Sequence, residues 1–151
     1  MEKNYYLARK MLIRHEDKRA GLYCDKCGKW HHPRCPDGKY TIGIGRNIED
    51  KPLKEKEIQF LFMCDLEDAI SDCKAVFGDD WNKFPERKQS CFIDMMFNLG
   101  RPRFSKFKKM IAAARRKDWI ETAEQAKDSD WYSQVKSRGK EIYEILKEES
   151  K

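Results

Sequence analysis

The chain has 151 residues, with 32 Lys and Arg against 26 Asp and Glu for a formal charge of +6, and 40% of it is hydrophobic and 38% charged. That length allows one domain or two small lobes, and the apolar fraction excludes a disordered chain while requiring a densely ionic surface. The longest apolar run, Phe60-Leu61-Phe62-Met63-Cys64, falls far short of the ~20 residues a membrane-spanning helix needs.

The first residues, Met1-Glu2-Lys3-Asn4-Tyr5-Tyr6, carry an acid and aromatics where a secretory signal has a basic segment followed by an apolar stretch. A cytosolic start is expected. Apolar residues at Tyr5, Ala8, Met11 and Leu12 then follow a helical period that fades at Glu16-Asp17-Lys18-Arg19, so Glu16 stands near the end of a helix. Between Gly21 and Gly45 the character changes: seven glycines and prolines, three cysteines and two histidines precede or surround the short β-like run Tyr40-Thr41-Ile42-Gly43-Ile44-Gly45. The expectation is a small β lobe over about residues 17–52.

After Pro52, Ile58, Leu61, Phe62, Leu66, Ala69, Ile70, Cys73, Val76 and Phe77 keep three- and four-residue spacing, which predicts one long amphipathic helix over 53–78. From Trp81 the chain reads as consecutive helices over 81–148. Their apolar positions are Phe92, Met95, Met96 and Leu99 ahead of Gly100, then Phe104, Phe107 and Ile111, then Trp119 to Lys127, then Ile142, Ile145 and Leu146. The predicted class is α+β, mostly helical, as a single domain. Cys64, Cys73 and Cys91 on apolar helical patterns are expected as small core residues, as are Phe92, Met95, Met96, Phe97, Phe104 and Phe107. Lys106-Phe107-Lys108-Lys109 and Arg115-Arg116-Lys117 are expected as solvated faces.

Three of the six cysteines crowd into twelve residues, Cys24-Asp25-Lys26-Cys27-Gly28-Lys29-Trp30-His31-His32-Pro33-Arg34-Cys35, which reads C-x2-C-x4-H-x2-C. Two cysteines two residues apart, followed by a third cysteine and a histidine, offer four soft or borderline ligands to tetrahedral zinc. The expected ligands are Cys24, Cys27, His32 and Cys35, with His31 as the alternative to His32. A filled set of four leaves no open position for substrate, so the expected role is structural. The local run also resembles part of the plant homeodomain zinc fingers, although the second ligand set of that domain is missing.

The run Arg14-His15-Glu16, then Tyr40-Thr41-Ile42-Gly43-Ile44-Gly45-Arg46-Asn47, then Phe97-Asn98-Leu99-Gly100, and finally Trp131-Tyr132 with Arg138 resembles, in order and spacing, the phage-type lysozymes of glycoside hydrolase family 24. The resemblance implies a two-lobed lysozyme-like fold, with a β-hairpin lobe, a long connecting helix and a helical C-terminal lobe. It implies hydrolysis of the β-1,4 bond between N-acetylmuramic acid and N-acetylglucosamine in peptidoglycan. Glu16 matches the family's proton donor and Thr41 the residue that positions the attacking water, while Arg138 matches an arginine that meets the N-terminal helix near the acid. Asp17 stands where the family usually has glycine, and its charge and burial of the acid act to raise the pKa of Glu16, while a basic neighbour such as Arg138 acts to lower it.

The family's second carboxylate lies nine residues after the acid, which gives Asp25, and six before the threonine, which gives Cys35 with Asp37 close by. An insertion of about ten residues between the two anchors separates these registers. Asp25 is the candidate catalytic partner, with Asp37 or no carboxylate at all as the alternatives. No catalytic cofactor, no nucleic-acid partner and a monomer are expected, in a host bacterial cytoplasm from which the enzyme reaches the wall at lysis. The competing class is a basic zinc-finger module that binds single-stranded nucleic acid through Trp30, Lys26, Lys29 and Arg34.

Overall fold

In a computed structural model of the protein, the described residues are 19–30 and 33–148. The helix expected over Tyr5–Glu16 lies outside them, as do Glu16, His31 and His32. The chain divides between Ile58 and Gln59 into two compact units.

The described part of the first unit is an antiparallel sheet of three strands in the order β1 (Arg19–Cys24), β2 (Tyr40–Gly43) and β3 (Arg46–Asn47). In β1 and β2, Tyr23 pairs with Thr41 and Cys24 with Tyr40, with an irregularity between Arg19 and Tyr23. The turn Gly43-Ile44-Gly45 folds β3 back on β2, so that Thr41 faces Asn47 and Ile42 faces Arg46. Asn47 then ends the sheet by accepting the amides of Glu49 and Asp50 at 3.0 and 3.1 Å, the competition with ladder bonding that makes Asn a turn residue.

Helix α1 spans Glu55–Phe77, close to the expected 53–78. A short 3-10 turn, Gly78–Lys83, leads to α2 (Glu86–Leu99), α3 (Arg101–Phe104), α4 (Lys108–Arg115), α5 (Trp119–Lys127), α6 (Asp130–Val135) and α7 (Ser137–Lys147). Asp118 caps α5 by accepting the Glu121 amide at 3.1 Å, and Ser129 caps α6 from the Tyr132 amide at 3.3 Å. The core of this unit gathers on Phe77, whose ring lies 4.7 Å from Phe92, 5.1 Å from Phe84, 5.9 Å from Trp81 and 6.0 Å from Phe104. Offset and edge contacts of this kind add to the area each ring buries. The α+β class and the order of sheet, long helix and shorter helices are those expected.

Several burial expectations need correction. Cys73 and Cys91 are buried, but Cys64 is exposed, because nine residues at ~100° per residue place it on the face of α1 opposite Cys73. Phe97 is also exposed, its ring resting 6.0 Å from that of Phe62. Ile58, Leu61 and Phe62 of the predicted stripe are exposed as well, and α1 buries only Ala69, Cys73 and Phe77. The eight Lys and Arg residues between Arg101 and Lys117 are exposed, as expected. No described helix is long and apolar enough to cross a membrane.

Candidate functional site

The inserted loop folds as two turns that bring three thiols together. Cys24 closes β1, and its carbonyl accepts the Gly28 amide at 2.8 Å while its own amide donates to the Lys29 carbonyl at 3.1 Å. Gly28 sits at a φ of +71°, a conformation that costs a side-chain-bearing residue and lets the chain reverse at once. The second turn, Cys35-Pro36-Asp37-Gly38, is closed by the Gly38 amide donating to the Cys35 carbonyl at 2.9 Å, with proline and glycine where a type I turn favours them. The Sγ atoms of Cys24, Cys27 and Cys35 lie within 4.8 Å of one another. Of the four expected metal ligands, three converge and His32 lies outside the described residues.

The protons of these thiols are not equivalent. Backbone hydrogen bonding, led by Cys27, pulls the Cys24 thiol below its ordinary value despite burial. A backbone hydrogen bond with Lys29 does the same for Cys27. Cys35, hydrogen-bonded first to the Cys27 side chain and then to Cys24, is pushed up to about 11. Three sulfurs this close cannot all ionise cheaply unless a cation sits among them.

Gly38 is a site residue that the sequence reading missed. A Cβ there would fall 2.3 Å from the Cys24 sulfur and 3.4 Å from the Cys35 carbonyl oxygen. The signal was present in Cys-Pro-Asp-Gly, a turn whose last residue has to be small when the turn packs on another knuckle.

Asp25, the expected second carboxylate, occupies the first knuckle. Its Oδ1 accepts the Lys39 amide at 2.7 Å, and its own amide donates to the Lys39 carbonyl at 3.1 Å. The hydroxyl of Thr41 donates to that same carbonyl at 3.2 Å. Thr41 is 3% exposed, and its bond to that carbonyl fixes the direction of its hydroxyl hydrogen. The Arg34 guanidinium, one of the cations of the nucleic-acid reading, pairs with Glu49 at 3.0 Å. Trp30 is exposed, its ring leaning on Tyr40 with centroids 5.5 Å apart.

In the helical unit, Arg138 Nε lies 3.1 Å from Asp94 Oδ1. That buried oxygen has no hydrogen bond, and desolvation raises the Asp94 carboxyl despite the arginine. Asn98 accepts the Trp131 indole N–H at 2.9 Å.

Two known proteins are similar to this chain. The pre-baseplate central spike protein Gp5 of Enterobacteria phage T4 is 30% identical over 163 aligned positions, covering 90% of this chain and 27% of that protein. A probable T4-type lysozyme 2 of Dictyostelium discoideum is 24% identical over 138 positions, covering 73% of this chain and 81% of that protein. The chain thus spans about a quarter of the first relative and four fifths of the second. No protein-family model matches it.

Proposed function

We propose that the protein is a lysozyme that cleaves the β-1,4 bond between N-acetylmuramic acid and N-acetylglucosamine in peptidoglycan. The observation that carries this reading is the similarity to a T4-type lysozyme over 81% of that protein's length. In this mechanism Glu16 donates its proton to the leaving glycosidic oxygen while oxocarbenium character develops on the sugar. Thr41 orients the attacking water: its hydroxyl hydrogen is engaged by the Lys39 carbonyl, so its oxygen can accept a hydrogen from the water. Asp25, whose Oδ1 holds the Lys39 amide and whose own amide donates to the Lys39 carbonyl, supports that threonine through the same residue and retains its second oxygen for a direct role. A structural zinc ion on Cys24, Cys27, Cys35 and His32 completes the reading, with no cofactor in the chemistry itself.

The test is clearing of a peptidoglycan suspension by the protein and by Glu16→Gln. The amide is isosteric with the acid and removes the proton donor, so activity should fall roughly 10²- to 10⁴-fold. A variant that keeps more than about a tenth of the lytic rate overturns the assignment of Glu16.

A further inference from the structure

We infer that the zinc ion acts as a staple that builds the first unit, fixing the strand that carries Thr41, so that lysis requires bound metal. The dependence of lysis rests on the lysozyme reading above; the staple does not.

Among its described residues the first unit has no other interior. Between residues 19 and 58 those that are buried are Cys24, Gly38 and Thr41, whereas the remaining buried hydrophobic residues begin at Ala69. Among the described residues of this small unit burial centres on the thiols and not on apolar side chains, and in such a setting metal binding can supply folding free energy. What is buried here is the thiol cluster and its surroundings.

The cluster joins two separate parts of the chain, the knuckle after β1 and the turn before β2. Cys24 ends β1, Cys27 lies in the knuckle after it, and Cys35 opens the turn that leads into β2. Tetrahedral zinc with Zn–S bonds of ~2.3 Å places sulfurs roughly 4 Å apart, and the three sulfurs already lie within 4.8 Å. The contact of Gly38 with the Cys24 sulfur fits this purpose, since any Cβ would force the two turns apart. A disulfide would join two of the sulfurs and leave the third without a reason to be there. Binding one Zn²⁺ displaces the thiol protons to solvent and changes no oxidation state.

From the staple to the candidate catalytic hydroxyl is a short path. Cys24 faces Tyr40 across the ladder, and Tyr23 faces Thr41. Asp25, between the two knuckle cysteines, grips both the amide and the carbonyl of Lys39, and that carbonyl receives the Thr41 hydroxyl. Loss of the metal frees the knuckle, then the Lys39 peptide, then the orientation of Thr41.

The experiment uses the full chain purified under reducing conditions, with zinc measured by elemental analysis before and after stripping with 1,10-phenanthroline. Amide hydrogen exchange is followed in peptides covering 19–47 and 86–147, beside lysis of a peptidoglycan suspension. The expected result is about one zinc per chain; stripping should accelerate exchange in 19–47 by roughly tenfold or more, leave 86–147 unchanged, and reduce lysis in parallel, with added Zn²⁺ restoring both. Cys27→Ser, at an exposed position, should hold zinc at least roughly tenfold more weakly, since mutating even an outer-shell partner of a metal ligand typically costs about 10- to 100-fold, and Cys64→Ser should change nothing. Equal exchange of 19–47 with and without metal overturns the staple, and so does isolation of a metal-free protein with a Cys24 to Cys35 disulfide. Lysis that survives stripping overturns the metal dependence. Metal-dependent exchange in a protein that attacks no peptidoglycan supports the staple and sinks the lysozyme reading.

Discussion

Gly38 illustrates how one missing side chain sets a local structure. It has no unusual backbone angle, and its constraint is distance, since a methyl added there would meet a sulfur at 2.3 Å. Gly38→Ala is therefore expected to push the second turn off the first, at an overpacking cost of about 1–3 kcal/mol. Thermal unfolding followed by amide exchange should show the loss in residues 19–47 and none in α2 to α7; an alanine variant with unchanged exchange would mean that the two turns are not packed as described. Asp25 shows the same economy at the neighbouring knuckle. One carboxylate oxygen and one amide hold both the backbone N–H and the carbonyl of Lys39, which accounts for an acid at this position whether or not its other oxygen meets substrate.

Between elements, single side chains tie helix ends to their surroundings. The Lys88 side chain, on α2 and 3% exposed, sends its ammonium to the carbonyls of Leu146 and Glu148, each at 2.8 Å, and to that of Ile145. These are carbonyls at the C-terminal end of α7, where acceptors lack partners within the helix and carry the negative end of its dipole. Lys88→Met keeps the apolar stem and strands those acceptors, so it should lower stability by about 1–3 kcal/mol in urea unfolding; a change under roughly half a kcal/mol would show that water replaces the ammonium.

In the first unit, Glu57 in the first turn of α1 accepts the Lys54 amide at 2.7 Å and pairs with Arg46 of β3. The Lys54 amide first, and then Arg46, hold its carboxyl below the ordinary 4.5. A carboxylate with a depressed folded pKa contributes stability that is present above the unfolded value and lost as pH falls through the folded one. Acidification below 4.5 should therefore loosen residues 46–57, as read by amide exchange, and Glu57→Gln should lose that part of the pH dependence.

At the scale of the molecule, charge is unevenly spread. From Arg101 to Lys117 there are eight Lys and Arg and no acid, all of them exposed, along two shallow grooves of about 400 and 480 Å³ that share Lys108. Arg101 is partly balanced by Asp72 at 3.6 Å, and Arg115 donates to the Val76 carbonyl. A surface of this sign attracts anionic polymers over a Debye length, ~10 Å at 0.1 M salt and ~3 Å at 1 M. Co-sedimentation with purified anionic cell walls should accordingly weaken as salt rises. Replacing Lys106, Lys108, Lys109 and Arg116 with glutamine should flatten that dependence while leaving the fold intact; an unchanged salt profile would place the adhesion elsewhere.

Class, order of elements and the clustering of three cysteines are all legible in the amino-acid order. Helical period sets α1 to within two residues because a helix is built from local hydrogen bonds and a repeating apolar face. The spacing of Cys24, Cys27 and Cys35 is legible because the first two share a single turn. Which residues of a periodic stripe are covered is settled only when the elements pack, so Phe62 and Phe97 are exposed while Phe77 gathers four rings around it. Packing likewise brings Gly38 against the sulfur of Cys24 and bonds Asp25 to Lys39. Periodicity records which side of an element is apolar, whereas the partner that covers it, and the distance between two turns, depend on contacts between segments that no local pattern encodes.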